Sequence, residues 1–199
     1  MLHIENLSVQ GLRPVSFTLG SGECMAVRGP SGAGKTLLLR AIADLDPNSG
    51  AVLLGGLSRR DLPAPEWRQR VGYVPAEPGW WADHIGAHFN GWSGALPLVD
   101  RLRLPAEAAG WLVTRASTGE RARLALIRAL MAGPQVLLLD EPTAALDAGS
   151  TAAVEALMAE CVAKGLSVLW VTHDAAQAAR VATRELLVEA GEAREVLAA

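Results

Sequence analysis

The sequence predicts an α/β domain with a mainly parallel sheet, on three observations. Two nearly pure apolar runs, 136–139 and 168–171, are flanked by turn or polar residues, as in central strands buried on both faces. Alanine-rich stretches at 151–163 and 175–182 read as helices covering such a sheet. A short strand, 24–27, runs into a glycine-rich loop and then a helical stretch at 37–45.

The chain has 199 residues, 50% of them hydrophobic, enough for one substantial core or two small lobes sharing one. A net charge of -3 supplies no global basic field, so no nucleic-acid partner is expected. Met1-Leu2-His3-Ile4-Glu5 lacks the basic-then-apolar pattern of a signal peptide. No apolar run approaches the roughly 20 residues that cross a bilayer. The expectation is a soluble, cytoplasmic chain whose membrane role, if any, needs a partner. Cys24 and Cys161 match no metal spacing and read as reduced, buried thiols.

The middle interrupts the α/β rhythm. Residues 75–105 hold three of the six tryptophans and four prolines, and predict a smaller, mostly helical lobe continuing to about Leu130. The expected division is a core of 1–74 and 131–199 with a helical subdomain at about 75–130.

Gly29-Pro30-Ser31-Gly32-Ala33-Gly34-Lys35-Thr36 matches the phosphate-loop pattern between a strand and a helix, the context that pattern requires. Its glycines let successive amides face phosphate oxygens, and the helix N-terminus adds partial positive charge. Lys35 supplies a cation for the β- and γ-phosphates, and Thr36 a hydroxyl for Mg²⁺. The loop alone leaves kinases and GTPases open. The strand 136–139 then ends in Asp140 and Glu141, delivered to the ligand crevice of a parallel sheet. Asp140 can hold Mg²⁺, directly or through water. Glu141 can polarise a water that attacks the γ-phosphate.

Together with three further motifs, these residues make the chain resemble the ATP-binding cassette (ABC) family over essentially its whole length. Ala116-Ser117-Thr118-Gly119-Glu120 stands where that family carries its L-S-G-G-Q signature. Ala145-Leu146-Asp147 looks like the loop after the catalytic glutamate, and Thr172-His173-Asp174 like the switch histidine. The resemblance implies a P-loop NTPase core, an N-terminal antiparallel β portion and a helical subdomain. It implies ATP and Mg²⁺ as ligands, Glu141 and His173 as catalytic residues, and Thr36 and Asp140 at the metal. It also implies a dimer in which Ser117, Thr118, Gly119 and Glu120 bind the γ-phosphate of ATP held by the other subunit. The ATPase then drives an integral membrane transporter subunit from the inner face of the cell membrane. From its own residues, Ser117-x-x-Glu120 reads as a capping box opening a helix that runs through Leu130. Gly119 leaves room for close backbone approach.

The chain departs from the family in places. Thr118 and Glu120 replace a glycine and a glutamine. The stretch Val9–Arg13 has no aromatic residue to stack on adenine; Phe17 alternates with Val15 and Leu19 and belongs to the core. Stacking must be weaker, or come from Leu12, Arg13 or a partner. Ala76 occupies the position of a Mg²⁺-contacting glutamine, so Glu77 substitutes or water fills the site. His84 and His88, four apart, read as a helical surface or interface pair rather than a zinc site. Trp80 and Trp81 are lobe core, or a groove for a helix of a membrane subunit. Residues 168–174 are similar to small bacterial metal-export ATPase subunits. The alternatives to a transport ATPase are a non-transport relative and a nucleotide-binding regulatory module.

Overall fold

The computed structural model describes residues 1–197. Strands β1 (Leu2–Val9) and β2 (Leu12–Leu19) form a hairpin, joined by β4 (Ser49–Leu54) and β5 (Leu57–Ser58) in an antiparallel sheet of order β2-β1-β4-β5. In β2 the buried positions Leu12, Val15, Phe17 and Leu19 face this sheet's core, which places Phe17 where its alternation puts it.

The second sheet contains β3 (Cys24–Arg28), β6 (Val71–Val74), β7 (Val136–Asp140), β8 (Ser167–Val171), β9 (Arg184–Glu189) and β10 (Glu192–Leu197) in the order β10-β9-β3-β8-β7-β6. It is parallel except for the β9–β10 hairpin. Every residue of β7 and β8 is buried, as continuous apolar runs require. The pleat sends Leu138 to one core and Leu137 and Leu139 to the other. The first core lies between the sheets and takes in Leu38, Leu39 and Ile42 of helix α1 (Lys35–Ile42) and Trp67 of α2 (Ala64–Arg70). The second takes in α3 (Trp92–Arg101), α4 (Thr118–Met131), α5 (Ala148–Ala163) and α6 (Ala175–Val181). Burying each Leu-sized side chain contributes roughly 1.5–3 kcal/mol. No helix is long and apolar enough to cross a membrane among the described residues.

Several boundaries moved for local reasons. Helix α1 stops at Ile42, short of Leu45, because Asp44 takes a left-handed φ of 57° just beyond it. Helix α5 starts at Ala148, ahead of Thr151, because the Asp147 carboxylate accepts from the Ser150 N–H at 2.8 Å and caps it. Residues 75–130 hold α3, α4 and short 3₁₀ turns, and their buried Ile85, Val99, Leu102 and Leu124 share one apolar cluster with Leu137 and Trp170 of the sheet.

The expected helical pair of histidines is corrected. Residues Ile85–His88 make a single 3₁₀ turn between extended residues, so His84 and His88 do not share a helix face. His88 is buried, with Nε2 accepting from the Trp81 and Ala82 N–H groups at 2.9 and 3.1 Å, which puts its own hydrogen on Nδ1 toward the His84 and Ile85 carbonyls. It is a buried buckle of the chain, and no metal-holding cluster occurs among the described residues. Cys24 is buried and its thiol is pushed up to about 12, chiefly by desolvation; Cys161 is only half-buried, which corrects the reading of both as buried.

Candidate nucleotide site

The glycine-rich loop is closed from behind by the sheet. Gly29 has φ 147°, and a Cβ there would stand 1.8 Å from the Val188 carbonyl oxygen of β9, so only glycine fits. Leu12 packs under the loop's far end, within 3.6 Å of where a Gly34 Cβ would lie. Gly34 (φ 107°) precedes α1 and no side chain caps that helix. Its first-turn amides are thereby left for an anion. Lys35 is buried, and its ammonium donates to the Gly29 and Pro30 carbonyls at 2.8 Å each. Burial lowers its pKa, while Glu141 and Asp140 act in the opposite direction.

Beside the loop, two carboxylates leave the end of β7. The Thr36 hydroxyl donates to Asp140 Oδ2 at 2.8 Å, and the Tyr73 hydroxyl of β6 donates to the same oxygen at 3.1 Å. Burial, and then Asp140, push the Tyr73 phenol up, so it stays protonated as a donor. Thr36 spends its hydrogen on Asp140 and keeps both lone pairs, a hard oxygen set that fits Mg²⁺. Glu141 is held at φ 51°, a costly conformation for a non-glycine residue, by its N–H bonding the Val171 carbonyl at 3.2 Å. That turn aims its carboxylate at His173, whose Nε2 lies 2.5 Å from Glu141 Oε1. A cavity of about 230 Å³ adjoins the pair, lined by Thr143, Thr151, Thr172 and Gln177 among others.

The remaining motif residues sit on α4. Ser117 Oγ accepts from the Glu120 N–H at 3.2 Å and Glu120 Oε2 accepts from the Ser117 N–H at 2.8 Å, a complete capping box. The backbone N–H of Ser117 holds the Glu120 carboxyl below its usual range. Ser117 and Thr118 are exposed. Gly119 is small because of its own chain: a Cβ there would meet the Ala145 carbonyl at 2.9 Å. No hydrogen bond or ion pair joins this helix end to the phosphate loop or to Glu141 among the described residues.

Residues 12–144 match the family model described as ABC transporter. The chain belongs to the ABC transporter family. An Fe(3+) ions import ATP-binding protein of Rhodococcus jostii is 37% identical over 201 residues, covering 93% of this chain and 57% of that protein. An aliphatic sulfonates import ATP-binding protein of Pseudomonas entomophila is 38% identical over 188 residues, 90% of this chain and 68% of its own. The chain spans only 35% of a Streptomyces avermitilis protein with ABC transporter ATP-binding protein in its name. A solved post-hydrolysis dimer of an ATP-binding cassette with ADP and Pi superposes with TM-score 0.88 at 24% identity over 100% of this chain and 99% of that one, which shows the fold. The Rhodococcus and Pseudomonas relatives are named for import and lend the metal-export likeness of residues 168–174 no support.

Against this ABC background the departures have structural content. Ala76 and Glu77 are both exposed, and Glu77 makes no side-chain hydrogen bond or ion pair among the described residues. Arg13 is exposed and paired with Glu192, while Leu12 is buried. Trp80 packs partly on the second core, but Trp81 is 71% exposed. The Arg128 guanidinium lies 4.7 and 4.8 Å from their ring centres. Two residues at the site were not singled out from sequence. Tyr73 lies on the short strand β6, where nothing local in the sequence marks its hydroxyl's partner. Gln177, in an alanine-rich helix, is buried and donates to Thr143 Oγ1 and Glu155 Oε1 at 2.9 Å each, supporting the chain just past Glu141.

Proposed function

We propose that this chain is the ATP-binding and ATP-hydrolysing subunit of an ABC transporter. It works as a dimer with a separate membrane subunit, at the cytoplasmic face of the membrane. The observation that carries the reading is the convergence at two neighbouring strand ends. Thr36 and Asp140 meet at 2.8 Å, and Glu141 and His173 at 2.5 Å, beside a phosphate loop whose helix no side chain caps. The import names of the relatives and the dimeric cassettes among the solved structures support transport and dimerisation. Residues 75–130 are the helical subdomain that meets the membrane subunit.

In this reading Gly29–Thr36 wraps the phosphates, and Lys35 exchanges its two carbonyl partners for β- and γ-phosphate oxygens. Thr36 and Asp140 would hold Mg²⁺, which would supply neutralisation of phosphate charge. Glu141 orients a water and accepts its proton as the water oxygen bonds the γ-phosphorus. The bond from that phosphorus to the bridging oxygen breaks, and ADP leaves with the electron pair. His173 holds the Glu141 carboxylate. Ser117 to Glu120 bind the γ-phosphate held by the second chain.

The test is Glu141→Gln, which keeps shape and removes the base. Phosphate release should fall roughly 100-fold or more, with ATP affinity nearly unchanged and an ATP-dependent dimer appearing on size exclusion. Turnover equal to wild type defeats the assignment.

A further inference from the structure

We propose that Tyr73 is a positioning residue for the metal site, fixing which oxygen of Asp140 is offered to the cation. The inference rests on the nucleotide-binding reading above. Strand β6 is the edge of the parallel sheet and pairs only with β7, with Tyr73 in register with Leu138. From there the phenol reaches the buried carboxylate at the end of the same neighbouring strand, 3.1 Å from Oδ2.

The hydrogen-bond accounting singles out one oxygen. Oδ2 accepts from both Thr36 and Tyr73, while no donor reaches Oδ1 among the described residues. Two donors on one oxygen oppose rotation of the carboxylate about its Cβ–Cγ bond, and Oδ1 remains free to face the cation or one of its waters. Thr36 is itself a candidate ligand, so Tyr73 is the donor that acts on Asp140 without touching the metal. Groups of this kind orient a ligand, and losing one weakens metal binding about 10- to 100-fold. The assignment also gives edge strand β6, which leads directly into Pro75 and Ala76, a polar tie to the metal carboxylate that neither exposed Ala76 nor exposed Glu77 makes.

The experiment is Tyr73→Phe, which removes one oxygen and keeps the packed ring. Mn²⁺ binding to the full chain in saturating ADP is followed by electron paramagnetic resonance, with ADP affinity in EDTA and the melting temperature measured in parallel. The Mn²⁺ dissociation constant should rise about tenfold while metal-free ADP affinity stays within about twofold of wild type. In an Asp140→Ala background the substitution should change Mn²⁺ binding no further. Mn²⁺ affinity within about twofold of wild type, with or without a lower melting temperature, overturns the assignment and leaves Tyr73 a packing residue. If the wild-type chain binds neither ADP nor Mn²⁺, the nucleotide reading itself fails.

Discussion

Helix α1 begins after Gly34, which has no side chain to cap it, whereas helix α4 begins at Ser117, where a hydroxyl and the Glu120 carboxylate close the first turn reciprocally. Both ends carry the same partial positive charge and the same orphan amides. At α1 the charged side chain of the first turn is a cation, Lys35, whose ammonium donates to the Gly29 and Pro30 carbonyls. At α4 the anion is already present as Glu120. In the proposed reading the first end takes a phosphate within one chain. The second is stable by itself, and an incoming phosphate must compete with its own carboxylate.

Three substitutions probe that difference. The largest effect is expected from Lys35→Ala. It removes charge-assisted bonds to two phosphates, worth about 3 kcal/mol together, so ATP affinity by calorimetry should fall roughly 100-fold. Wild-type affinity would contradict the role of the α1 end.

Ser117→Ala should leave the nucleotide affinity of a single chain unchanged, because α4 does not contribute to the site in cis. It should cost about 1 kcal/mol in urea unfolding through loss of the cap and reduce the ATP-dependent dimer seen with Glu141→Gln. A loss of affinity in the monomer would erase the contrast between the two helix ends.

The smallest effect belongs to Glu120→Gln, read as a pH profile. The Glu120 pKa is lowered in the folded chain, first by the Ser117 N–H. A lowered carboxylate stabilises the fold fully above its unfolded pKa, about 4.3, and loses that contribution as pH falls through the folded value. Wild type should melt slightly above Glu120→Gln at neutral pH, and the difference should shrink below about pH 4. A difference independent of pH would mean that the carboxylate charge does not close this cap.

The sequence by itself determined what depends on local chemistry and on period. Apolar runs gave β7 and β8, alternation put Phe17 in the core, and Ser117-x-x-Glu120 formed the cap its spacing allows. The loop 29–36 also sat where strand and helix require, and Lys35 acts there through carbonyls five and six residues away. Tertiary structure alone decided what depends on partners distant in sequence. Gly29 is irreplaceable because of Val188 on β9, and Gly119 because of Ala145. His88 became a buried buckle where spacing suggested a helix face, since the deciding N–H groups belong to Trp81 and Ala82 in a chain reversal that no periodicity reveals. Tyr73 reaches Asp140 across 67 positions. A strand aromatic looks the same in sequence whether its hydroxyl meets solvent or a carboxylate, and only the register of β6 on β7 brings those two atoms together.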